Sequence, residues 1–450
     1  MNAITFFTNK REAESAAFDL MDQTASAERP DLLLFYATPK YRGRYQQILE
    51  ILATRFGNIP QIGGSVDGMI FPSDMRTDGA SLVLCYDESA RIWVGSDEGE
   101  GACESAERLA EKITCKNGIV ILHFPLVHVP DMAGSIEFWT RGRYYSFMCR
   151  NRSGKYARRF ADYCNRNKII YPAPTILDIV AKRLDYRVPV IGINLMHTEM
   201  GFNSPSVFAN FKEINNSIAA LVIEKPGIEV SYDDIFPAKG KTIEETCKIV
   251  KNHFTVVKEF KASFEKNILV SLDDKPPIAA IKDFTGLSKH NREGITSNLG
   301  EGHLQAQMPY ILIYLSKTTG GIMTHAVGSY YPFDLFPVFF DISDFSEKVF
   351  LAYEPFQGKL KDFASSLCTF RNTKGFKFFV MDIGAVLAFE EESIYYRDMV
   401  AELFGDNYFG LLTEAPSVYL PPSSVKKESI TEVKKNIFFS CSGTDVCFHC

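Results

Sequence analysis

The residues best suited to chemistry begin with a run of glycines and polar neighbours: Gly63, Gly64, Ser65, Asp67 and Gly68. Backbone N–H groups beside glycines can hold an anion, and the carboxylate suits an ammonium group. The run therefore predicts a ligand-binding loop, with a plain tight turn as the alternative. It does not match the G-x-S-x-G elbow of hydrolases, so it gives no sign of a nucleophile.

A second group of candidates follows a similar stretch of sequence further along the chain. It consists of Gly192, Asn194, His197 and Glu199. An amide and a carboxylate at a strand end could grip the amine of an amino acid. His197 could instead ligate a haem iron, although a lone histidine is more often a surface or hydrogen-bonded residue.

Other potential metal ligands are scattered. His303 and His325, in glycine-rich segments, are the runner-up iron ligands. Cys441, Cys447 and Cys450 crowd together at the end of the sequence and are either a soft-metal or redox tail or incidental thiols. Because no H-E-x-x-H motif occurs and no metal-pair spacing recurs, we assign no metal site. No P-loop motif is present either.

One stretch combines many arginines with aromatic residues. It could bind an acidic partner, acidic lipid or RNA, or it could be the solvated face of a helix. The residues we assign to partner binding are Arg141, Arg143, Arg150, Arg152, Arg158 and Arg159.

Composition narrows the class of protein. Of the 450 residues, 46% are hydrophobic and 23% charged, which excludes a disordered, collagenous or coiled-coil chain. The net charge of -6 excludes a wholly basic nucleic-acid-binding surface. We find neither a signal peptide nor an apolar run of the ~20 residues that span a bilayer, so we expect a cytoplasmic protein without a membrane span. Most of the 36 Phe and 20 Tyr residues are expected in the core.

An internal repeat indicates the fold. Residues 48–56 align with 176–184, and residues 59–63 then align with 188–192. Each copy is typical of a helix, a proline turn and a strand that ends in glycine. A fainter version covers 376–410. We predict an α/β fold with mixed sheets and repeat-related helix–strand units, divided into domains at 1–225 and 226–450.

These segments, together with the apolar strand at 31–37, residues 60–68 and the strand and turn at 260–286, make the chain similar to the FIST family. The resemblance covers most of the chain and implies FIST N-terminal and C-terminal domains that form a sensory module. It also implies binding of a small molecule, with amino acids as suggested ligands, and a relay to a signalling protein.

The function that the residues and the resemblance together predict is small-ligand sensing without catalysis. Two alternatives remain open. One is a haem-binding nitric-oxide sensor, because some members of the family resemble such sensors. The other is an adaptor that acts through the basic and aromatic stretch.

Overall fold

The structure is a computed structural model of the chain. It describes residues 1–72, 74–128, 132–151, 154–195, 205–233, 240, 242–285, 310–317, 322–326, 334–338, 340, 345–353, 375–382, 393–413, 416–421, 437–439 and 445–449.

Three six-stranded sheets share one plan, in which two parallel strands lie in the middle and antiparallel strands lie on both sides. The first sheet, in spatial order, consists of β1 (Asn2–Thr8), β6 (Ala80–Tyr86), β2 (Leu32–Ala37), β3 (Gln61–Ser65), β10 (Val207–Ala209) and β11 (Lys212–Ile214). The second consists of β7 (Arg91–Asp97), β12 (Ile218–Glu224), β8 (Gly118–Pro125), β9 (Val190–Leu195), β22 (Ser417–Tyr419) and β23 (Ile437–Phe439). The third consists of β13 (Glu229–Asp233), β24 (Asp445–His449), β20 (Lys377–Asp382), β21 (Tyr408–Thr413), β4 (Gly68–Phe71) and β5 (Asp74–Arg76).

A fourth sheet, antiparallel throughout, lies between β13 and β20 in the chain. It consists of β17 (Ile322–Ala326), β16 (Tyr310–Ser316), β19 (Phe345–Tyr353), β14 (Val256–Glu265), β15 (Ile268–Leu272) and β18 (Phe336–Pro337). The helices are α1 (Ala13–Gln23), α2 (Tyr45–Phe56), α3 (Ala102–Lys112), α4 (Met132–Asn151), α5 (Lys155–Arg166), α6 (Ala173–Arg183), α7 (Ile243–His253), α8 (Pro277–Thr285) and α9 (Ser393–Phe404), with a 3-10 turn at Pro39–Tyr41.

The predicted α/β fold with repeat-related units is therefore confirmed, and the structure adds a third unit of equal standing. We call β1–β6 the first unit, β7–β12 the second and β13–β24 the third. Each has a parallel strand pair in which a glycine lies opposite an apolar residue of the neighbouring strand. These pairs are Phe35 with Gly63, Leu122 with Gly192, and Phe379 with Gly410.

No unit completes its own sheet. The hairpin β10–β11 of the second unit pairs with β3 of the first, β22–β23 of the third pairs with β9 of the second, and β4–β5 of the first pairs with β21 of the third. The exchange therefore runs in a closed cycle. Hydrogen-bonded strand pairs join residues on both sides of the predicted domain boundary between residues 225 and 226. The boundary itself stays a prediction.

Successive side chains along the central strands alternate between two different hydrophobic cores. Leu34, Ile121 and Phe378, at matched positions of β2, β8 and β20, point into one central core shared by the three sheets. Their neighbours in sequence point outward, as the period of two requires, and pack under the helices. Because both faces are covered, these strands are nearly continuous apolar runs in the sequence.

The second unit also carries an insertion. The chain passes from β2 to α2 through residues 38–44, whereas the equivalent passage from β8 to α6 contains α4 and α5. Phe160 of α5 packs in the same buried cluster as Leu269 of the fourth sheet, so this insertion and that sheet share a core. In the described ranges, no helix is long and apolar enough to cross a bilayer.

Replacing Gly63 with alanine should destabilise the fold strongly. A Cβ atom there would lie 1.7 Å from the backbone oxygen of Phe35, an atom that cannot rotate away. We expect the free energy of unfolding, measured in urea, to fall by at least about 3 kcal/mol. This is the upper end of the range for overpacked cores. The control is Gly101→Ala, where the nearest atom is a Glu104 side-chain carbon at 3.5 Å. Equal stability of the two variants would contradict this account.

Candidate ligand site at the strand ends

Buried polar side chains gather at the carboxyl ends of β3, β9 and β21. Ser65, Asn194 and Thr413 stand at or beside these ends and are fully buried, and Asp67 is only 7% exposed. Ser417, at the start of β22, is also fully buried. Buried polar groups need hydrogen-bond partners, and ligands of α/β proteins usually bind at this end of a sheet. We call these five residues the polar ring.

Hydrogen bonds of the ring join one unit to another at every junction. Ser65 Oγ accepts from the backbone N–H of Ser206 at 2.7 Å, which ties the first unit to the second. The Asn194 amide donates to Ser417 Oγ at 3.3 Å, and Thr413 Oγ1 donates to the Asn194 carbonyl at 2.9 Å. The Asp67 N–H donates to the Leu412 carbonyl at 3.1 Å, which ties the first unit to the third. Each of the three junctions therefore contains at least one hydrogen bond of the ring.

Charged groups of both signs act electrostatically on the hydroxyl of Tyr45, which donates a hydrogen bond to the Thr38 carbonyl at 3.0 Å. Burial raises the pKa of Tyr45, Arg42 lowers it, Glu213 raises it, a hydrogen bond with Ser65 lowers it and Asp67 raises it. Glu213 also accepts from Ser206 Oγ at 2.7 Å. Two carboxylates and one guanidinium near a buried hydroxyl complement a zwitterion, because each charge of the ligand finds the opposite charge.

The predicted glycines lie in strands and not in an open loop. Gly63 and Gly64 belong to β3, between β2 and β10, and Gly192 belongs to β9. A Cβ on Gly64 would lie 2.5 Å from Leu195 Cδ1, and one on Gly192 would lie 2.2 Å from Ser417 Oγ. Gly68 opens β4, where a Cβ would lie 2.9 Å from the Arg76 carbonyl oxygen. Close packing explains these four glycines.

The structure brings Ser65, Asp67 and Asn194 into the polar ring. His197 and Glu199 lie outside the described residues, so their assignment to the site stays a prediction. Sequence reasoning missed Thr413, Ser417 and the charged group around Tyr45. The faint third repeat could have indicated Thr413, which follows the glycine of that repeat, Gly410, by three residues.

Three of the six predicted partner-binding arginines bind acidic groups of this same chain. Arg141 pairs with Glu137 at 2.7 Å, and Arg158 pairs with Glu265 of the fourth sheet at 3.0 Å. Arg150 pairs with Asp334. Arg143 and Arg159 have no acidic partner among the described residues, although Arg159 lies over the Tyr156 ring at 5.5 Å. Arg152 falls outside them.

Comparison with known proteins now identifies the family. The FIST N domain model matches residues 31–275, which is more than half of the chain. The chain belongs to the FIST family. The predicted resemblance is therefore confirmed, and with it the general assignment to small-ligand-binding sensory and signal-transduction modules. The model of the AF0772-like protein C-terminal domain matches residues 244–357, which span α7 and the fourth sheet.

Individual proteins add little to the family assignment. An uncharacterized protein of Archaeoglobus fulgidus is 25% identical over 379 residues, covering 83% of this chain and 96% of that protein. A cyanuric acid hydrolase from A. caulinodans has a TM-score of 0.25 and 8% identity, covering 57% of this chain and 78% of its own. Another cyanuric acid hydrolase has a TM-score of 0.22 and 8% identity, covering 68% and 91%. At these TM-scores the likeness carries no argument.

The haem alternative that the FIST resemblance implied would need only one or two axial ligands among the described residues. They contain no group of three or more His, Cys, Asp or Glu residues placed to hold a metal. His303, Cys441 and Cys450 lie outside them, and of His325 and Cys447 only the strand position is described. Haem binding stays a prediction.

His123, in β8, is a buried histidine of this FIST protein. Its Nε2 lies 2.7 Å from the Tyr36 hydroxyl inside the central core, and its Nδ1 has no hydrogen-bond partner in the described structure. The two residues, with Cys85 and Phe378, line a cavity of about 10 Å³. That space is no larger than one water molecule and excludes a haem.

Acid should destabilise the protein through His123. Burial lowers the pKa of His123 from 6.5 to about 3, so below pH 6.5 the unfolded chain takes up a proton that the folded chain does not. We expect this residue to cost about 2 kcal/mol of unfolding free energy between pH 7.5 and pH 5. Urea unfolding at the two pH values measures the loss.

His123→Phe should remove that part of the pH dependence, whatever its effect on stability at neutral pH. His253→Gln, at an exposed position, is the control and should keep the wild-type dependence. Retention of the full pH dependence by His123→Phe would show that other groups cause it.

Proposed function

We propose that this protein is a non-enzymatic sensor that binds an amino-acid-like zwitterion at the polar ring and relays its occupancy to a signalling partner. The observation that carries the proposal is the contact chain from Ser65 of the polar ring through Ser206 to Glu213, with Arg42 and Asp67 acting electrostatically on the nearby Tyr45 hydroxyl. The family assignment supports small-ligand sensing in general, and the charges narrow the chemistry of the ligand.

Each end of such a ligand has a plausible match. A carboxylate such as Asp67 suits an α-ammonium group, while the half-buried Arg42 offers a fork of N–H donors that suits an α-carboxylate. Hydrogen bonds to charged groups contribute about 1.5–3 kcal/mol each, so loss of one is readily measured. Val66 and Leu195, the sequence neighbours of Asp67 and Asn194, belong to the central core, which would favour a ligand with an apolar side chain.

A binding role fits the serine hydroxyls better than turnover does. Ser65 Oγ accepts from a backbone N–H, and Ser417 Oγ interacts with the Asn194 amide. These contacts hold strands together across the junctions. An activated nucleophile would need a base within hydrogen-bond distance. The buried histidine His123 instead hydrogen-bonds to the Tyr36 hydroxyl.

The relay follows from the position of the ring. Its hydrogen bonds join all three units, so a ligand that binds one arrangement of the units more tightly than another shifts the population toward it. The free energy available for the relay equals the difference in the ligand's affinity for the two arrangements.

Isothermal titration of the full chain against a panel of the common amino acids tests the proposal. We expect heat of binding for at least one of them, and at least a tenfold loss of affinity in Asp67→Asn, because the amide oxygen can accept a hydrogen bond from an ammonium group but carries no opposite charge. The matched control is Asp185→Asn, whose side chain is 77% exposed at the end of α6. It should bind as the wild type does.

Circular dichroism of each variant shows whether a loss of binding is caused by unfolding. Heat no greater than dilution for every amino acid contradicts the proposal. If the folded Asp67→Asn variant binds the ligand as tightly as the wild type does, the ligand binds at another site. If Asp67→Asn does not fold, Arg42→Gln, at a half-buried position, should weaken binding by a similar factor.

A further inference from the structure

The turn of the hairpin β10–β11 has an unusual backbone. Its two residues, Asn210 and Phe211, have φ angles of 50° and 62°, and the pair of Ala209 with Lys212 closes the hairpin around them. A two-residue turn with both φ angles positive is of type I′, which strongly prefers glycine at its second position. Phe211 occupies that position. A left-handed backbone is unfavourable for a bulky residue, so the surrounding structure must hold Phe211 in this conformation.

The first unit holds Phe211 by three contacts. The side chain is 6% exposed and packs in the buried cluster that also contains Tyr45 of α2. The N–H of Phe211 donates to Gln61 Oε1 at 2.8 Å, and its carbonyl accepts from Gln46 Nε2 at 3.4 Å. Because the hairpin belongs to the second unit, all three contacts cross the junction between the two units.

The closed turn also buries a polar group at a cost. Gln61 is fully buried, and its Nε2 has no hydrogen-bond partner within the described structure. A buried N–H group without a partner destabilises the state that buries it. Opening of the turn would relax the backbone of Phe211 and admit water to the Gln61 amide. The described parts of the other two borrowed hairpins contain no non-glycine residue with a positive φ angle.

The same turn positions a charged group of the proposed ligand site. Glu213, in β11, accepts from Ser206 Oγ at 2.7 Å, and the Ser206 N–H donates to Ser65 Oγ of the polar ring at 2.7 Å. The N–H of Glu213 donates to Gln46 Oε1 at 2.7 Å, so Gln46 binds both the turn and Glu213. Strand β11 lies at the edge of its sheet and has only one neighbouring strand. Release of the turn would therefore carry Glu213 away from Ser206.

We propose that residues 210–213, which we call the clip, open and close while the rest of the protein stays folded, and that a ligand at the polar ring closes them. The backbone strain at Phe211 and the unpaired Gln61 amide favour the open form. The buried ring of Phe211 and the hydrogen bonds of Gln46 favour the closed form. Because these contributions oppose each other, a ligand that binds only the closed form can change the populations of the two.

This inference deepens the proposed function by naming the part that moves when the ligand binds. It rests on that function for the effect of the ligand only, because opening of the clip in the ligand-free protein is measured without one. The closed clip joins the second unit to α2 and β3 of the first. A ligand that closes it would therefore tighten the junction between these two units.

Hydrogen exchange of the full chain, followed by mass spectrometry, measures the opening. Without ligand, we expect the amides of the clip to exchange at least about 100-fold faster than those of β9, a central strand with a neighbour on each side. Each common amino acid is then added at about 10 mM, and every one that gives heat of binding in titration should slow exchange of the clip at least fivefold. The other amino acids should leave it unchanged.

Two pairs of variants distinguish strain from ordinary flexibility. Phe211→Ala and Phe211→Gly both lose the ring, but only alanine keeps the penalty for a positive φ angle. After correction for intrinsic rates, we expect at least fivefold faster exchange of the clip in Phe211→Ala than in Phe211→Gly. Lys212→Ala and Lys212→Gly are the control pair, because Lys212 is exposed in the extended strand β11. There the glycine variant should exchange faster, since glycine adds flexibility and relieves no strain.

Gln46 tests the closed form without a change in the turn itself. Gln46→Leu should speed exchange of the clip at least tenfold, because it removes the hydrogen bonds to Phe211 and Glu213. Gln47→Leu, at the exposed next position of α2, should leave exchange unchanged. This pair keeps the proposal testable if circular dichroism shows that a Phe211 variant does not fold.

Three results would overturn the proposal. The first is exchange of the clip as slow as that of β9 in the ligand-free protein. The second is exchange in Phe211→Gly that equals or exceeds the exchange in Phe211→Ala. The third is an amino acid that gives heat of binding and leaves exchange of the clip unchanged. An open clip without heat from any amino acid would instead reject the proposed function, and with it the effect of the ligand, while the opening itself would stand.

Discussion

The structure depends on one constraint, which is that each of the three mixed sheets is finished by a hairpin from another unit. A two-stranded hairpin is marginal by itself, and the strand it covers would otherwise expose unpaired N–H and C=O groups. Pairing of β3 with β10, β9 with β22 and β21 with β4 meets both needs at once. The three junctions form a closed cycle, so the central core can exist only when all three units are in place.

The same constraint positions the polar ring. The borrowed hairpins bring Ser417 to Asn194 and the Asp67 amide to Leu412, near the carboxyl ends of β9 and β21. Polar side chains that are far apart in the sequence therefore become neighbours at the point where the units touch. A binding site at such a point draws contributions from more than one unit, as a sensor of unit arrangement requires.

The sequence indicated the local units well and the connections between them poorly. The repeat at 48–63 and 176–192 predicted a helix, a turn and a strand ending in glycine; the structure has the helix, the turn and the strand, but β3 and β9 continue past Gly63 and Gly192. A strand's own residues carry its burial pattern, which is why β2, β8 and β20 were visible. Nothing local to Gly68 indicates that it pairs with Leu412.

Two site assignments show where the limit lies. A glycine near a strand end looks the same in sequence whether a ligand or a neighbouring backbone approaches it, and for Gly63 the structure shows the carbonyl of Phe35. A row of arginines likewise does not reveal its partners. Arg158 meets Glu265, which lies 107 residues further along the chain. The burial of His123 against Tyr36 follows from the meeting of two sheets and leaves no trace in either segment.

The exchange of hairpins has a consequence for how the chain is made. The first unit emerges from the ribosome with β4 and β5, but their partner strand β21 follows only near the end of synthesis, because Gly68 pairs with Leu412. At the usual pace of translation the hairpin would wait roughly 20–70 s for that strand. Throughout this interval the apolar residues Met69, Ile70 and Phe71 lack their final cover. The nascent chain is thus a natural client for chaperones that hold short apolar segments until the last quarter of the protein arrives.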